Sequence, residues 1–304
     1  MSNKIAAVIL PYFGTWPVWI DLFLYSCGRN PMVDFYIFTD CPIPDKIYKN
    51  TIFTNISWTE YQEIISTSLT IRYSRENAYS LCDLKPFYGY IHKDIIVNYD
   101  FWGYCDMDVC FGDLSIIVNE RNLKRYDVIS THADRISGHF ALIRNNENYC
   151  NLCFKIPEWQ AKLESQEMFG LDEHFFTSLV FPQIKNIHRL YRRLPGILKK
   201  DYRTGYSLLM WPVNKITRYL FKEQYTSPAP IPGETWKYDL NTGKITDPSN
   251  RELPYIHYLF FKKTPFYSTE YYWREGFYKI TSSDLQSSKG TILFNTGGIA
   301  SAES

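Results

Sequence analysis

Two aspartates one residue apart, Asp106 and Asp108, are the sharpest chemical signal in the chain. They close the segment FWGYCDMD, whose first five residues are aromatic, small or apolar. Residues two apart on a strand point the same way, so at a strand end both carboxylates can converge on one cation. Burying two carboxylates without counter-charge is costly, and a divalent cation removes that cost. The pair reads as a Mg2+ or Mn2+ site that bridges to phosphate oxygens; a solvated acidic turn is the plainer alternative. His257, in PYIHYLFFKK, is either a core histidine or the imidazole that completes the same site. Lys262 and Lys263 follow it at a distance suited to a diphosphate. Asp83 and Lys85, in LCDLKP, read either as a surface ion pair or as contacts to a phosphate or a sugar hydroxyl. Asp172 and Glu173 open a predicted helix, where acids favour the dipole. In a site, either acid would bind a donor or acceptor hydroxyl or act as a general base. Asp113 reads as a helix N-cap.

The elements that must position these residues follow an α/β rhythm. Ile5 to Leu10 is a continuous apolar run stopped by Pro11, as buried parallel strands read. A helix is expected over Trp16 to Cys27, a strand over Asp34 to Thr39, a strand over Thr51 to Ser57 and a helix over Thr59 to Ser66. Pro86 suits the first turn of a helix running to Ile96. Phe101 to Cys105 reads as the strand that delivers the aspartates. Strands are expected over Asp127 to Ser130 and Gly138 to Arg144, and helices over Glu147 to Ile156 and Asp172 to Val180. Asn241-Thr242-Gly243 suits a hairpin turn, and Tyr255 to Phe261 reads as a last strand. In open α/β sheets ligands gather at the carboxyl ends of strands, which singles out Tyr12 and Phe13 after the first strand and Asp40 after the second.

Composition narrows the classes. The 304 residues carry 33 Lys+Arg against 32 Asp+Glu, a net charge of +1, with 45% hydrophobic and 21% charged residues. That excludes a disordered chain or a coiled coil and argues against a nucleic-acid binder. Tyr, Phe and Trp make up 17% of the chain, enough to form stacking platforms as well as core. Seven cysteines without a second CxxC read as free thiols in a reducing compartment. The apolar run at the N-terminus is too short for a signal peptide, and no stretch approaches the ~18 apolar residues of a membrane span, so a cytoplasmic location is expected. Residues 189–222 hold nine basic residues against one acid, Asp201, with aromatic residues interleaved. That stretch is either a solvated helical face or a contact to an anionic membrane surface.

With PYFG ending the first strand, FTD after the second, CDLKPFYG before a helix, DFWGYCDMD and a late histidine, the chain resembles the GT-A-fold glycosyltransferases. It looks most like bacterial transferases of polysaccharide (O-antigen or capsule) assembly, over roughly residues 4–145 and more loosely to 265. The resemblance implies a mixed, mostly parallel α/β sheet flanked by helices, with a C-terminal helical and hairpin extension. It implies one catalytic domain over 1–285, with a nucleotide-sugar half over 1–130 and an acceptor half over 131–285; residues 286–304 are expected to be a flexible tail. It implies a nucleotide-sugar donor, a UDP-sugar with UDP-galactose the first guess, and a glycan or lipid-linked glycan acceptor. On this pattern Asp106, Asp108 and His257 hold Mn2+ or Mg2+, and Tyr12, Phe13 and Asp40 hold the nucleoside. Asp83, Lys85 and Asp106 contact the donor, Gly138 to Asn145 line donor sugar and acceptor, and Asp172-Glu173 stand near the acceptor. Two other classes stay open: a metal-dependent nucleotidyl or phosphoryl transferase, and an inactive carbohydrate- or nucleotide-binding protein on the same fold.

Overall fold

A computed structural model describes residues 5–196, 202–229, 231–261, 275–286 and 289–302. Lys262 and Lys263 lie outside the described residues. The centre is a seven-stranded sheet built from β1 (Ala6–Pro11), β2 (Val33–Thr39), β3 (Thr51–Asn55), β4 (Phe101–Cys105), β6 (Val128–Ser130), β7 (Phe140–Arg144) and β8 (Tyr219–Phe221). Its order is β3-β2-β1-β4-β7-β6-β8. The first four run parallel, β7 is antiparallel to β4 and β6, and β8 is parallel to β6. This is the mixed, mostly parallel α/β architecture with flanking helices that the sequence leads one to expect. Every residue of β1 and β4 is buried, as strands covered on both faces must be. Gly103 in β4 is required by close approach: a Cβ there would lie 2.3 Å from the Ala141 carbonyl oxygen.

A two-stranded ribbon pairs β5 (Val109–Phe111) with β12 (Tyr255–His257). An antiparallel five-stranded sheet joins β9 (Trp236–Asp239), β10 (Lys244–Thr246), β11 (Glu252–Leu253), β13 (Thr291–Asn295) and β14 (Gly298–Ser301) in the order β11-β10-β9-β13-β14. The expected turn at Asn241-Thr242-Gly243 joins β9 to β10, with Gly243 at φ 72°.

Several expectations need correction. Most of the stretch taken as a flexible tail is ordered, because Ile292 and Phe294 alternate inward and β13 pairs with β9. The helix expected from Pro86 to Ile96 is instead a 3-10 segment, Ala78–Phe87, followed by two single turns, Tyr88–Ile91 and Lys93–Ile96. Within the first of these turns Gly89 lies so close to the Trp102 indole that a Cβ would sit 2.5 Å away. The Glu147 to Ile156 helix is split into an α turn and a 3-10 turn, and the strand expected over Tyr255 to Phe261 ends at His257. All seven cysteines are free thiols, and Asp113 caps its turn by accepting from the Ser115 amide at 2.8 Å.

Candidate active site

The Asp106–Asp108 turn leaves the carboxyl end of β4 and is pinned at three backbone points. The Asp106 amide donates to the His139 carbonyl at 3.2 Å, the Trp19 indole to the Met107 carbonyl at 2.8 Å and the Tyr258 amide to the Asp108 carbonyl at 2.8 Å. The chain continues at once into β5, whose antiparallel register sets His257 opposite Val109, next to Asp108. The imidazole Nε2 lies 3.2 Å from Asp108 Oδ2. Carboxylate and imidazole atoms of Asp106, Asp108 and His257 all fall within 4.8 Å of one another. Two carboxylates and one imidazole are a donor set that suits Mn2+ or Mg2+. The buried Nδ1 of His257 has no hydrogen-bond partner among the described residues, as in a site completed by something further.

Lys85 lies behind this turn with its ammonium buried. Its Nζ is 2.6 Å from Asp106 Oδ1, 2.8 Å from the Gly138 carbonyl oxygen and 3.6 Å from Asp172 Oδ2. Burial acts against its charge, but Asp106 and Asp172 outweigh it and keep the ammonium protonated. The surface ion pair with Asp83, one of the two sequence alternatives, does not form among the described residues. Asp83 is fully buried and accepts the Phe169 and Leu171 amides, each at 2.9 Å. It thereby fixes Gly170, at φ 64°, and turns the next residues, Asp172 and Glu173, toward Lys85 and Gly138. Those two acids sit in a π-helical turn, Leu171–Phe175, that leads into the helix Phe176–Val180. Gly138 admits both carboxyls: a Cβ there would lie 3.0 Å from Asp172 Oδ2 and 3.1 Å from Glu173 Oε1.

The two acids have different environments. Burial pushes the Asp172 carboxyl up to about 6 against the pull of Lys85. Burial acts to raise Glu173 as well, but the Arg135 guanidinium, His132 and the Gly138 amide outweigh it and hold Glu173 below its ordinary value. Arg135 Nε meets Glu173 Oε2 at 3.0 Å.

Arg135 belongs to a polar cluster that the sequence reading missed. His132, Asp134 and His139 are buried beside the half-buried Arg135 in the loop between β6 and β7. Arg135 reaches the His132 ring at 3.1 Å, and His132 meets His139 at 3.2 Å. The Tyr255 hydroxyl lies 2.7 Å from His139 Nδ1. The His139 ring stacks on His257 with centroids 4.3 Å apart and an interplanar angle of 26°. Burial, then His257 and His132, push the His139 imidazole well below its ordinary range, so it is neutral. The signal was present as four polar, titratable residues within HADRISGH, but a loop has no periodicity to expose it.

A cavity of about 440 Å³ opens in front of the turn, lined among others by Tyr12, Phe13, Tyr79, Lys85, Asp106 and Asp108. Tyr12 stacks on Trp16 at 5.2 Å and 12°, while Phe13 packs against Trp58 and Tyr61. Tyr79, not singled out in the sequence, keeps 66% of its surface exposed there. Asp40 does not line this cavity. It is exposed and accepts the Gly14 amide at 2.8 Å, which ties the end of β1 to the end of β2.

A family model described as "Family of unknown function (DUF6625)" matches residues 8–285. The chain belongs to this family. No curated protein matches the sequence. Among solved structures, the chain overlays a galactosyltransferase, LgtC, in complex with donor and acceptor sugar analogs. The TM-score is 0.33 and the identity 13%, over 55% of this chain and 70% of that one. The apo-form glycosyltransferase GlyE of Streptococcus pneumoniae TIGR4 overlays with TM-score 0.32 and 13% identity, over 74% of this chain and 68% of that one.

Proposed function

We propose that this DUF6625 member is a metal-dependent glycosyltransferase that takes a nucleoside-diphosphate sugar in the 440 Å³ cavity and transfers the sugar to a glycan or lipid-linked glycan. The observation that carries the reading is the convergence of Asp106, Asp108 and His257 within 4.8 Å, two of them at the wall of an aromatic-lined cavity. Asp106, Asp108 and His257 would hold Mn2+ or Mg2+, which when bound neutralises a leaving diphosphate. Lys85 occupies Asp106 Oδ1 and fixes that carboxylate's rotamer. Tyr12, Phe13 and the exposed Tyr79 offer faces and edges for a nucleobase; uridine is the base we favour. Glu173, kept ionised by Arg135 and the more accessible of the two acids, would be the carboxylate that meets an acceptor hydroxyl. Asp172, buried beside Lys85, positions that lysine. Surface-polysaccharide synthesis is the setting that fits such a donor and acceptor.

A two-metal nucleotidyl or phosphoryl transferase would need a further acidic cluster, and among the described residues one metal-suited group is found. The test is a thermal-shift panel of UDP, GDP, CMP and ADP, each with Mn2+ and with EDTA. A ligand that binds the native state alone raises the melting temperature. A Mn2+-dependent rise with UDP, lost in Asp108→Asn, is the expected result. No rise with any nucleotide would remove the donor site and leave a binding or scaffold role.

A further inference from the structure

The chain as a whole is nearly neutral, yet the helix Ile184–Arg193 carries no acid and exposes Lys185, Arg189, Arg192 and Arg193. Lys185, Arg189 and Arg192 are spaced i, i+4, i+7 and so share one stripe, while Ile184 and Ile187 are buried on the other side. The helix Tyr202–Ile216 packs against it through Tyr206, whose ring stacks on Tyr191 at 4.0 Å and 13°. This second helix turns a ridge outward: Leu208, Trp211, Pro212, Lys215 and Ile216 are all exposed, Trp211 at 63% and Ile216 at 82%. The Lys215 ammonium lies 3.6 Å from the Trp211 ring centroid. Four of the eleven exposed large apolar side chains among the described residues, Leu190, Leu208, Trp211 and Ile216, fall on these two helices. Water gives no return for exposing a tryptophan and two aliphatic side chains on one ridge.

We infer that this helix pair docks on an anionic lipid surface, with Trp211, Leu208 and Ile216 entering the interface and the basic stripe facing lipid phosphates. Trp and Leu beside Lys and Arg are the side chains that interfacial helices present to membranes, and local positive charge on a neutral protein matches the negative surface of a leaflet. No helix among the described residues is long and apolar enough to cross a bilayer, so the contact is peripheral. The helix pair adjoins the candidate site: His188 Nε2 lies 3.1 Å from the Asp134 carbonyl oxygen, next to Arg135 and hence Glu173. A lipid-anchored acceptor would then meet Glu173 from the docked side. The docking inference itself needs neither metal nor donor.

Flotation of the full chain with vesicles tests it, using phosphatidylcholine alone and a three-to-one mixture with phosphatidylglycerol. Two triple variants accompany the wild type: Leu208→Ser/Trp211→Ser/Ile216→Ser, and Lys185→Gln/Arg189→Gln/Arg192→Gln. All six sites are exposed, so both variants should keep the wild-type melting temperature. The expected result is binding to the anionic vesicles alone, weakened by salt. The charge variant should bind about a hundredfold more weakly, at roughly fivefold per cation, and the apolar variant at least about tenfold. Absence of wild-type binding, equal binding to neutral vesicles, or unchanged binding by both variants would each overturn the inference. A wild-type dimer that the apolar variant converts to monomer, with no vesicle binding, would assign the ridge to a second copy instead. Nucleotide binding in the thermal-shift panel stands or falls separately.

Discussion

Replacing Lys85 by methionine removes the buried cation that faces both Asp106 and Asp172 at 2.6 and 3.6 Å. Methionine keeps most of the aliphatic volume, so the loss is electrostatic. Asp106 is partly open to water, with 29% of its side chain exposed, but the Asp172 side chain is 8% exposed and is left beside Glu173 without its counter-charge. Breaking a buried ion pair by removing one partner costs about 3–5 kcal/mol. In a chain of this length about 4 kcal/mol corresponds to a fall in Tm of roughly 6 °C. The loss should shrink when the orphaned carboxyl is neutralised. Lys85→Met/Asp172→Asn is therefore expected to recover about 1–3 kcal/mol relative to the sum of the single changes. Urea unfolding followed by tryptophan fluorescence at pH 8 measures all four corners of the cycle. A single Lys85→Met change within about 1 kcal/mol of wild type, or strict additivity with Asp172→Asn, would refute this account of the lysine.

Asp172 also predicts a pH dependence. Its folded value of about 6 lies above the ordinary 3.8, so its contribution is fully present below 3.8 and is lost as pH rises to about 6. The loss is about 3 kcal/mol at 1.36 kcal/mol per unit, and Asp172→Asn should remove that slope in unfolding curves taken across the window. His92 acts in the opposite direction. Buried and stacked on Phe38, it is depressed from 6.5 to about 3, so stability falls as pH drops from 6.5 toward 3, by about 5 kcal/mol in all, and His92→Phe should flatten that acid limb. Asp83→Ala orphans one buried and one half-buried amide and should cost about 2–5 kcal/mol, seen in urea unfolding. His139→Ala removes the ring stacked on His257 and is expected to weaken Mn2+ binding about tenfold, toward the lower end of the range for outer-shell partners; His139→Phe, which restores a stacking ring, should recover most of it in a Mn2+ titration.

The central strands were legible because β1, β2 and β4 are nearly continuous apolar runs, and buried parallel strands write themselves that way. The metal-suited pair was legible for the same reason, since Asp106 and Asp108 interrupt such a run at its carboxyl end. His257 was half legible. Its residue type was evident, but its place beside Asp108 depends on the pairing of β12 with β5, a contact 149 residues distant in sequence. What failed was governed by tertiary contacts with no local signature. Asp83 looks like a ligand contact in sequence and proves to be a backbone tether. Arg135, His132 and His139 sit in a loop, and their grouping becomes visible once β6 and β7 are paired. The strands β13 and β14 were obscured by serine- and glycine-rich neighbours, although TILFN carries the two-residue alternation of a half-buried strand.

The central claim is that Asp106, Asp108 and His257 form a divalent-cation site that a nucleoside diphosphate completes. The most direct measurement is a Mn2+ titration of the full chain, by electron paramagnetic resonance of the free ion, with and without UDP. The account predicts a single Mn2+ site that tightens in the presence of UDP and disappears in Asp108→Asn without loss of the folded state. Mn2+ binding that is absent in the wild type, or that persists unchanged in Asp108→Asn, would contradict it.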